Sequence, residues 1–277
     1  MKSLTPPDID YRTLYRQAIA QTQRLVDRAT LAGLEDQMVE AGENYVGHMT
    51  AGAPSAVTSI VLPGPQVDMV RALYDKRIVS KKGACRWVYD QIHSSAAYCP
   101  YCGQGEIYEV DHFLHQAGYH DLTMFPGNLV PICHPCNHIK LHQQPQGPTE
   151  SFIHPYFDTL PQTRWLFAQL DREAGGPILN YWVALDADAH GNLAPRLEYH
   201  FRTLELDRRM RTLSAKLLVE LQSDVEDLFE TLGSEGLQAH FAGEAQRAYS
   251  RHGNGLEAAA YLAASQNADF CNGDYRN

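Results

Sequence analysis

The chain has 277 residues, 44% of them apolar and 20% charged, with a formal net charge of −10. That is the composition of a globular protein with enough chain to bury a sizeable core, and it excludes a disordered chain or a uniformly basic nucleic-acid coat. No apolar run approaches the ~18 residues of a membrane helix, and the start, Met1 to Asp10, lacks an apolar signal core, which predicts a cytoplasmic protein without a membrane partner.

In chain order, residues 8–30 predict one amphipathic helix. Asp8 or Asp10 caps it, and Tyr11, Leu14, Tyr15, Ala18, Thr22, Leu25 and Val26 line one face. A second helix is expected over 31–46 and a third over 66–76, separated by the Pro/Gly-rich loop at 51–65. Lys81-Lys82-Gly83 breaks the pattern, and a helix follows from Arg86 to Ser94. Ile107–Asp111 and Asn128–Ile132 read as strands and His134–Gln143 as a helix. A short helix over 163–171 is expected next, carrying Trp165, Leu166 and Leu170. Ile178–Leu185 then reads as a strand, with Leu197–Leu204 as its partner across a turn at His190-Gly191-Asn192. From 205 onwards the chain is helical, with a stripe of Leu206, Met210, Leu213, Leu217, Leu221, Val225, Leu228 and Leu232 and further helices over 235–250 and 255–265. Trp87, Trp165 and Trp182 are expected in the core. The fold class is α+β in three parts: a helical region at 1–78, a central module at 79–145, and a mostly helical region at 146–277 with one small strand pair.

Charge and rare residues single out the central module. Residues 1–70, 146–200 and 201–277 carry −3, −4 and −4, whereas 71–145 carries +1. Four of the six cysteines lie there as Cys99-Pro-Tyr-Cys102 and Cys133-His-Pro-Cys136, and six of the 13 histidines fall between His112 and His142. Two Cys-x-x-Cys pairs with 30 residues between them suit one tetrahedral Zn²⁺. Four thiolates close its shell, so that metal is structural. Cys85 and Cys271 stand alone and are expected as small, partly buried side chains.

Between the pairs, Asp111-His112 ends the first strand and Asn137 sits on the helix after the second. A carboxylate and an amide oxygen are hard donors suited to Mg²⁺ or Mn²⁺, and an imidazole beside them can take a proton from water near neutral pH. Lys81, Lys82 and Arg86 form a compact basic run, read either as a solvated helix start or as a phosphate contact. His134, His138 and His142 recur on one helix face and are expected to be exposed or to face nucleic acid.

At Cys99/Cys102, Asp111-His112, Asn128, Cys133/Cys136-Asn137 and Lys140, the segment 95–145 resembles the HNH endonucleases. These belong to the His-Me finger superfamily with its ββα-metal fold, here in the four-cysteine zinc form. The resemblance implies a DNA-cleaving enzyme that leaves 5′-phosphate and 3′-hydroxyl ends. His112 would be the general base, Asp111 and Asn137 the ligands of Mg²⁺ or Mn²⁺, and Asn128 a brace for the loop after the first strand. Lys140 would be a phosphate contact. A looser likeness runs through Leu73-Tyr74, Tyr89-Asp90, His154–Asp158 and Trp165-Leu166, and is similar to bacterial anti-phage defence nucleases of the Septu type, which implies an ATPase or sensor partner. One departure stands out. Relatives carry Pro-Lys after the Asp-His-aromatic-Leu run, where this chain has His115-Gln116. His115 and His120 could replace the missing cation when protonated. The sequence leaves two alternatives open, a zinc-binding scaffold for an ATPase or sensor, and an HNH nuclease acting on RNA. The acidic flanks predict weak, salt-sensitive binding of free DNA.

Overall fold

Asp10 caps the first helix. Its carboxylate accepts from Thr13 N at 2.8 Å, and α1 runs over Tyr11–Ala20. Tyr11, Leu14, Tyr15, Ala18 and Ile19 lie buried on one face. The computed structural model describes residues 1–141, 143–173 and 176–274. The expected helix over 8–30 is two helices, because the chain breaks after Ala20 and resumes as α2, Leu25–Gly33. Leu25 and Val26, read as part of the apolar stripe, are both largely exposed. α3 spans Glu35–Thr50, and Glu35 accepts from both Arg12 and Arg16 of α1. α4, Gly64–Leu73, passes directly into a π-helical turn, Tyr74–Val79, and α5 covers Arg86–His93. Gly83 in the intervening turn has no alternative, since a Cβ there would lie 2.2 Å from the Arg77 carbonyl oxygen.

β1, Glu109–His112, pairs antiparallel with β2, Leu129–Ile132, placing Asp111 opposite Val130 and His112 opposite Leu129. α6, His134–Lys140, follows. The order strand, loop, strand, helix is the one expected from the sequence. Side chains of α1, α2, α4 and α5 form one apolar cluster with Val110 of β1, Leu129 of β2 and Met124 of the loop between them. Burial of each such side chain stabilises by roughly 1.5–3 kcal/mol, so the N-terminal helices anchor the short strand pair, which is too small to persist alone. The segment after α6 also packs here. His154 bonds Tyr45 of α3 through Nε2 at 2.8 Å, and the Tyr156 hydroxyl donates to Leu129 O at 2.8 Å. Met1–Leu160 forms one compact unit and Pro161–Asn277 another.

In the second unit β3, Leu166–Glu173, pairs antiparallel with β4, Gly176–Val183. This corrects two expectations. The segment read as a helix over 163–171 is a strand, and Leu197–Leu204, read as the partner strand, falls in and just after a helix. Leu166, Ala168 and Leu170 alternate buried with partly or fully exposed neighbours, a period of two that the spacing of Trp165, Leu166 and Leu170 had masked. Polar side chains tie the sheet to the helices. Asn254 Oδ1 accepts from Trp165 N and Leu166 N, and Asp207 Oδ1 accepts from Tyr181 N. The helices are α7 Ala187–His190, α8 Leu193–Thr203, α9 Leu206–Leu213, α10 Ala215–His252, α11 Leu256–Ser265 and α12 Ala268–Cys271. α10 kinks at Gly233, whose φ of 63° only glycine adopts freely. Of the predicted stripe, Leu206, Met210, Leu217, Leu221 and Val225 are buried, whereas Leu213 and Leu232 are exposed. Trp165 is buried as expected, but Trp87 and Trp182 are 44% and 43% exposed. Trp182 stacks on Phe167 across the strand pair instead of entering the core. Among the described residues, no helix is long and apolar enough to cross a membrane.

Candidate functional site

Two features meet at the ββα element, a sulfur cluster and a polar cleft. Cys99, Cys102, Cys133 and Cys136 are all buried, with their sulfurs within 4.8 Å of one another. The first pair is shaped by a tight turn in which Gly103 N donates to Cys99 O and Gly103 takes φ 73°. Gly105 N then donates to Cys102 Sγ at 3.3 Å. A Cβ at Gly105 would fall 2.7 Å from Cys133 Cβ, so only glycine lets the two pairs approach. The second pair starts α6, with Cys133 as its N-cap and Pro135 in the first turn, where a missing N–H costs nothing. Cys102 Sγ and Cys133 Sγ are 3.8 Å apart. Four sulfurs at ~2.3 Å from a tetrahedral Zn²⁺ would lie about 3.8 Å apart, so the cluster fits a zinc ion. Hydrogen bonds from Cys133, Cys136 and Cys99 drive Cys102 towards the thiolate, and those with Cys102, Cys133 and Cys99 push Cys136 towards the thiol. A divalent cation would relieve that uneven sharing by stabilising all four as thiolates.

Beside the cluster lies a cleft of about 420 Å³ lined by Asp111, His112, Asn137, His115, His134 and His138, among others. β1 delivers Asp111 and His112, and α6 delivers Asn137. The cleft therefore holds a carboxylate and an amide, oxygen donors that fit Mg²⁺ or Mn²⁺.

The geometry of His112 carries the most chemical information. Its Nε2 lies 2.8 Å from the carbonyl oxygen of Thr123. A carbonyl only accepts, so Nε2 bears the proton and the neutral ring keeps its lone pair on Nδ1. The Tyr74 ring packs on the imidazole with centroids 4.5 Å apart, held there by the π-helical turn. Burial holds the His112 pKa below the usual imidazole value, opposed by the Thr123 hydrogen bond and the Asp111 charge. The ring is thus kept as an uncharged base near neutral pH.

Asn128 is fully buried and holds the connecting loop. Its Oδ1 accepts from Leu114 N at 2.8 Å, and its Nδ2 donates to Leu114 O at 2.9 Å and Leu122 O at 3.3 Å. That clamp fixes the loop carrying Thr123, and through Thr123 the imidazole. Asp121 ties the same loop to the segment after α3, accepting from Ser59 Oγ at 2.6 Å and Ile60 N at 3.0 Å.

Lys140 is a correction. Expected as a phosphate contact, it is fully buried, and its Nζ donates to Asp111 Oδ2 and to His112 O, both at 2.7 Å. Its amine is committed inside the protein, because the fourth residue after Cys136 points back beneath β1. Arg86, another expected phosphate contact, bonds Asp90 and the Val79 carbonyl and stacks over Tyr89 at 4.0 Å. Lys81 and Lys82 are exposed, but neither lines the cleft. His134 and His138 are exposed at its lip, 6.1 Å apart and stacked, with Tyr108 edge-on to His134. His142 lies outside the described residues. His115 lines the cleft and bonds Gln144, whereas His120 does not line it. Tyr101 is buried against Phe152, and Tyr98 is exposed. The sequence marked Tyr74 only within the looser likeness, without a role beside His112, and did not mark Thr123 or Asp121. Thr123 acts through its backbone, so no residue-type signal could have marked it.

No family model matches the chain, and no solved structure matches it. Over 173 residues it is 30% identical to "Protein ea31" of Escherichia phage lambda. That stretch is 61% of this chain and spans 58% of the phage protein's length. The phage protein's name states no activity.

Proposed function

We propose that this chain is a divalent-metal-dependent endonuclease of the HNH type that hydrolyses phosphodiester bonds in DNA, with a structural Zn²⁺ in the four-cysteine cluster. The observation that supports it most is the pinned imidazole of His112. Its protonated nitrogen is held by a backbone carbonyl, and it shares a cleft with Asp111 and Asn137. When bound by Asp111 and Asn137, Mg²⁺ or Mn²⁺ supplies charge stabilisation to the phosphate and the leaving oxygen. His112 Nδ1 takes a proton from a water as that water's oxygen bonds to phosphorus. The P–O3′ bond breaks, the 3′ oxygen leaves and is protonated by solvent, and the phosphate stays on the 5′ side. Thr123 and Tyr74 keep the ring in place, and Asn128 keeps Thr123 in place.

The test is cleavage of plasmid DNA with Mg²⁺ or Mn²⁺, comparing the zinc-loaded protein with His112→Ala. Loss of a general base lowers the rate by roughly 10²–10⁴-fold. Equal rates overturn the role of His112, and the same assay on RNA decides the substrate. For the biological setting we propose nucleic-acid degradation in conflict between phage and host. The resemblance to defence nucleases and the similarity to a phage-encoded protein both support it.

A further inference from the structure

Lys140 is 0% exposed, and its ammonium makes two 2.7 Å bonds, to Asp111 Oδ2 and to the carbonyl of His112. A buried cation is unfavourable unless paired and hydrogen-bonded, and both bonds fall on the two residues that the proposed chemistry uses. Asp111 reaches the cleft with its side chain 23% exposed, while Lys140 is absent from the cleft's lining. The ammonium therefore approaches the carboxylate from the protein side. Lysine is costly to bury, and a methionine or leucine would fill the same space without a charge, so packing alone gives no reason for a cation here.

We propose that Lys140 is a positioning residue and built-in counter-ion for Asp111. It ties up Oδ2 and weakens the site's intrinsic affinity for a divalent cation. The inference rests on the HNH reading above. Two cations sharing one carboxylate repel each other, and like charges a few ångströms apart shift a binding equilibrium by roughly tenfold to a thousandfold. A site weakened in this way loads fully only when a phosphate adds negative charge beside it. Metal and nucleic acid then bind cooperatively, and the empty enzyme does not hold its metal tightly.

The experiment is a Mn²⁺ titration, by calorimetry or electron paramagnetic resonance, of the zinc-loaded full chain, Lys140→Met and Asp111→Ala, without nucleic acid. Lys140→Met keeps the stem and removes the charge. It should bind Mn²⁺ at least about tenfold more tightly than the parent, and Asp111→Ala should lose the site. A purely structural lysine predicts the opposite, weaker or unchanged binding in Lys140→Met. That result, with Asp111-dependent binding in the parent, overturns the inference and leaves the nuclease reading standing. Absence of Asp111-dependent Mn²⁺ binding in every protein overturns both. Should Lys140→Met fail to fold, the parent labelled with ¹⁵N-lysine gives the answer. Mg²⁺ should shift the resonance of the Lys140 ammonium, which is buried, and a resonance unmoved by saturating Mg²⁺ overturns the proposal.

Discussion

Asn128→Asp isolates the clamp that holds the loop over β1. The change swaps an NH₂ for an oxygen at almost constant volume. Oδ1 can still accept from Leu114 N, but the other oxygen now faces the carbonyls of Leu114 and Leu122 at about the 2.9 and 3.3 Å separations that the amide spanned as donor. The site is fully buried, so a carboxylate there has neither water nor a donor to replace the lost bonds. The new carboxyl escapes by taking up a proton, which restores one O–H donor. Its folded pKa is thereby raised above the ordinary ~3.9. The sign follows: stability is retained below the unfolded pKa and lost as pH rises. Protonation at a given pH costs about 1.36 kcal/mol per unit above ~3.9, which sets the pH-dependent part of the loss at up to about 5 kcal/mol at pH 7.5 and about 1.5 kcal/mol at pH 5. Amide exchange at Leu114 and across 113–128, compared with the parent at each pH, measures this directly. A loss below about 1 kcal/mol at pH 7.5, or one that does not vary with pH, would refute the reasoning, because two buried donor bonds cannot be so cheaply replaced.

Two further outcomes follow from the same element. Gly105→Ala should lower zinc affinity and release the metal faster to a chromogenic chelator, since its Cβ would sit 2.8 Å from Cys133 Sγ, whereas Gly147→Ala, with open space around it, should leave zinc release unchanged. His112 is buried in its neutral form with a lowered pKa, so its contribution to stability is present above about 6.5 and fades as pH falls through the folded pKa. His112→Gln keeps a donor for the Thr123 carbonyl and does not titrate. The stability difference between the parent and His112→Gln should therefore shrink below pH 6.5, and a difference that is flat from pH 8 to 5 would show that the buried ring is not held neutral.

How much was legible depended on whether a signal was local. The two cysteine pairs, the strand ending in Asp111-His112 and the helix carrying Asn137 were readable from spacing, because ligand spacing and helix entry are local constraints. The break after Ala20 was missed because Leu25 and Val26 kept the helical period while lying on an exposed face. The β3–β4 pair was misassigned because short apolar runs fit periods of two and of four equally well, and only pairing with a partner strand decides between them.

Lys140 marks the boundary most clearly. Its type and its place after Asn137 were written in the chain, and both suited a phosphate contact at the surface. The packing of α6 under β1 turned the amine inward onto Asp111 instead. The sequence by itself determined the chemical groups, the α+β class and the sulfur cluster, since these follow from residue type and short-range spacing. The tertiary structure alone decided that Thr123 selects the His112 tautomer, that the Asn128 brace grips the loop at Leu122 next to Thr123, and that a buried ammonium shares the Asp111 carboxylate. Each of these contacts joins residues 6 to 29 positions apart in the chain. Over such separations, side-chain direction and backbone carbonyls count for more than residue type, and only the folded core fixes them.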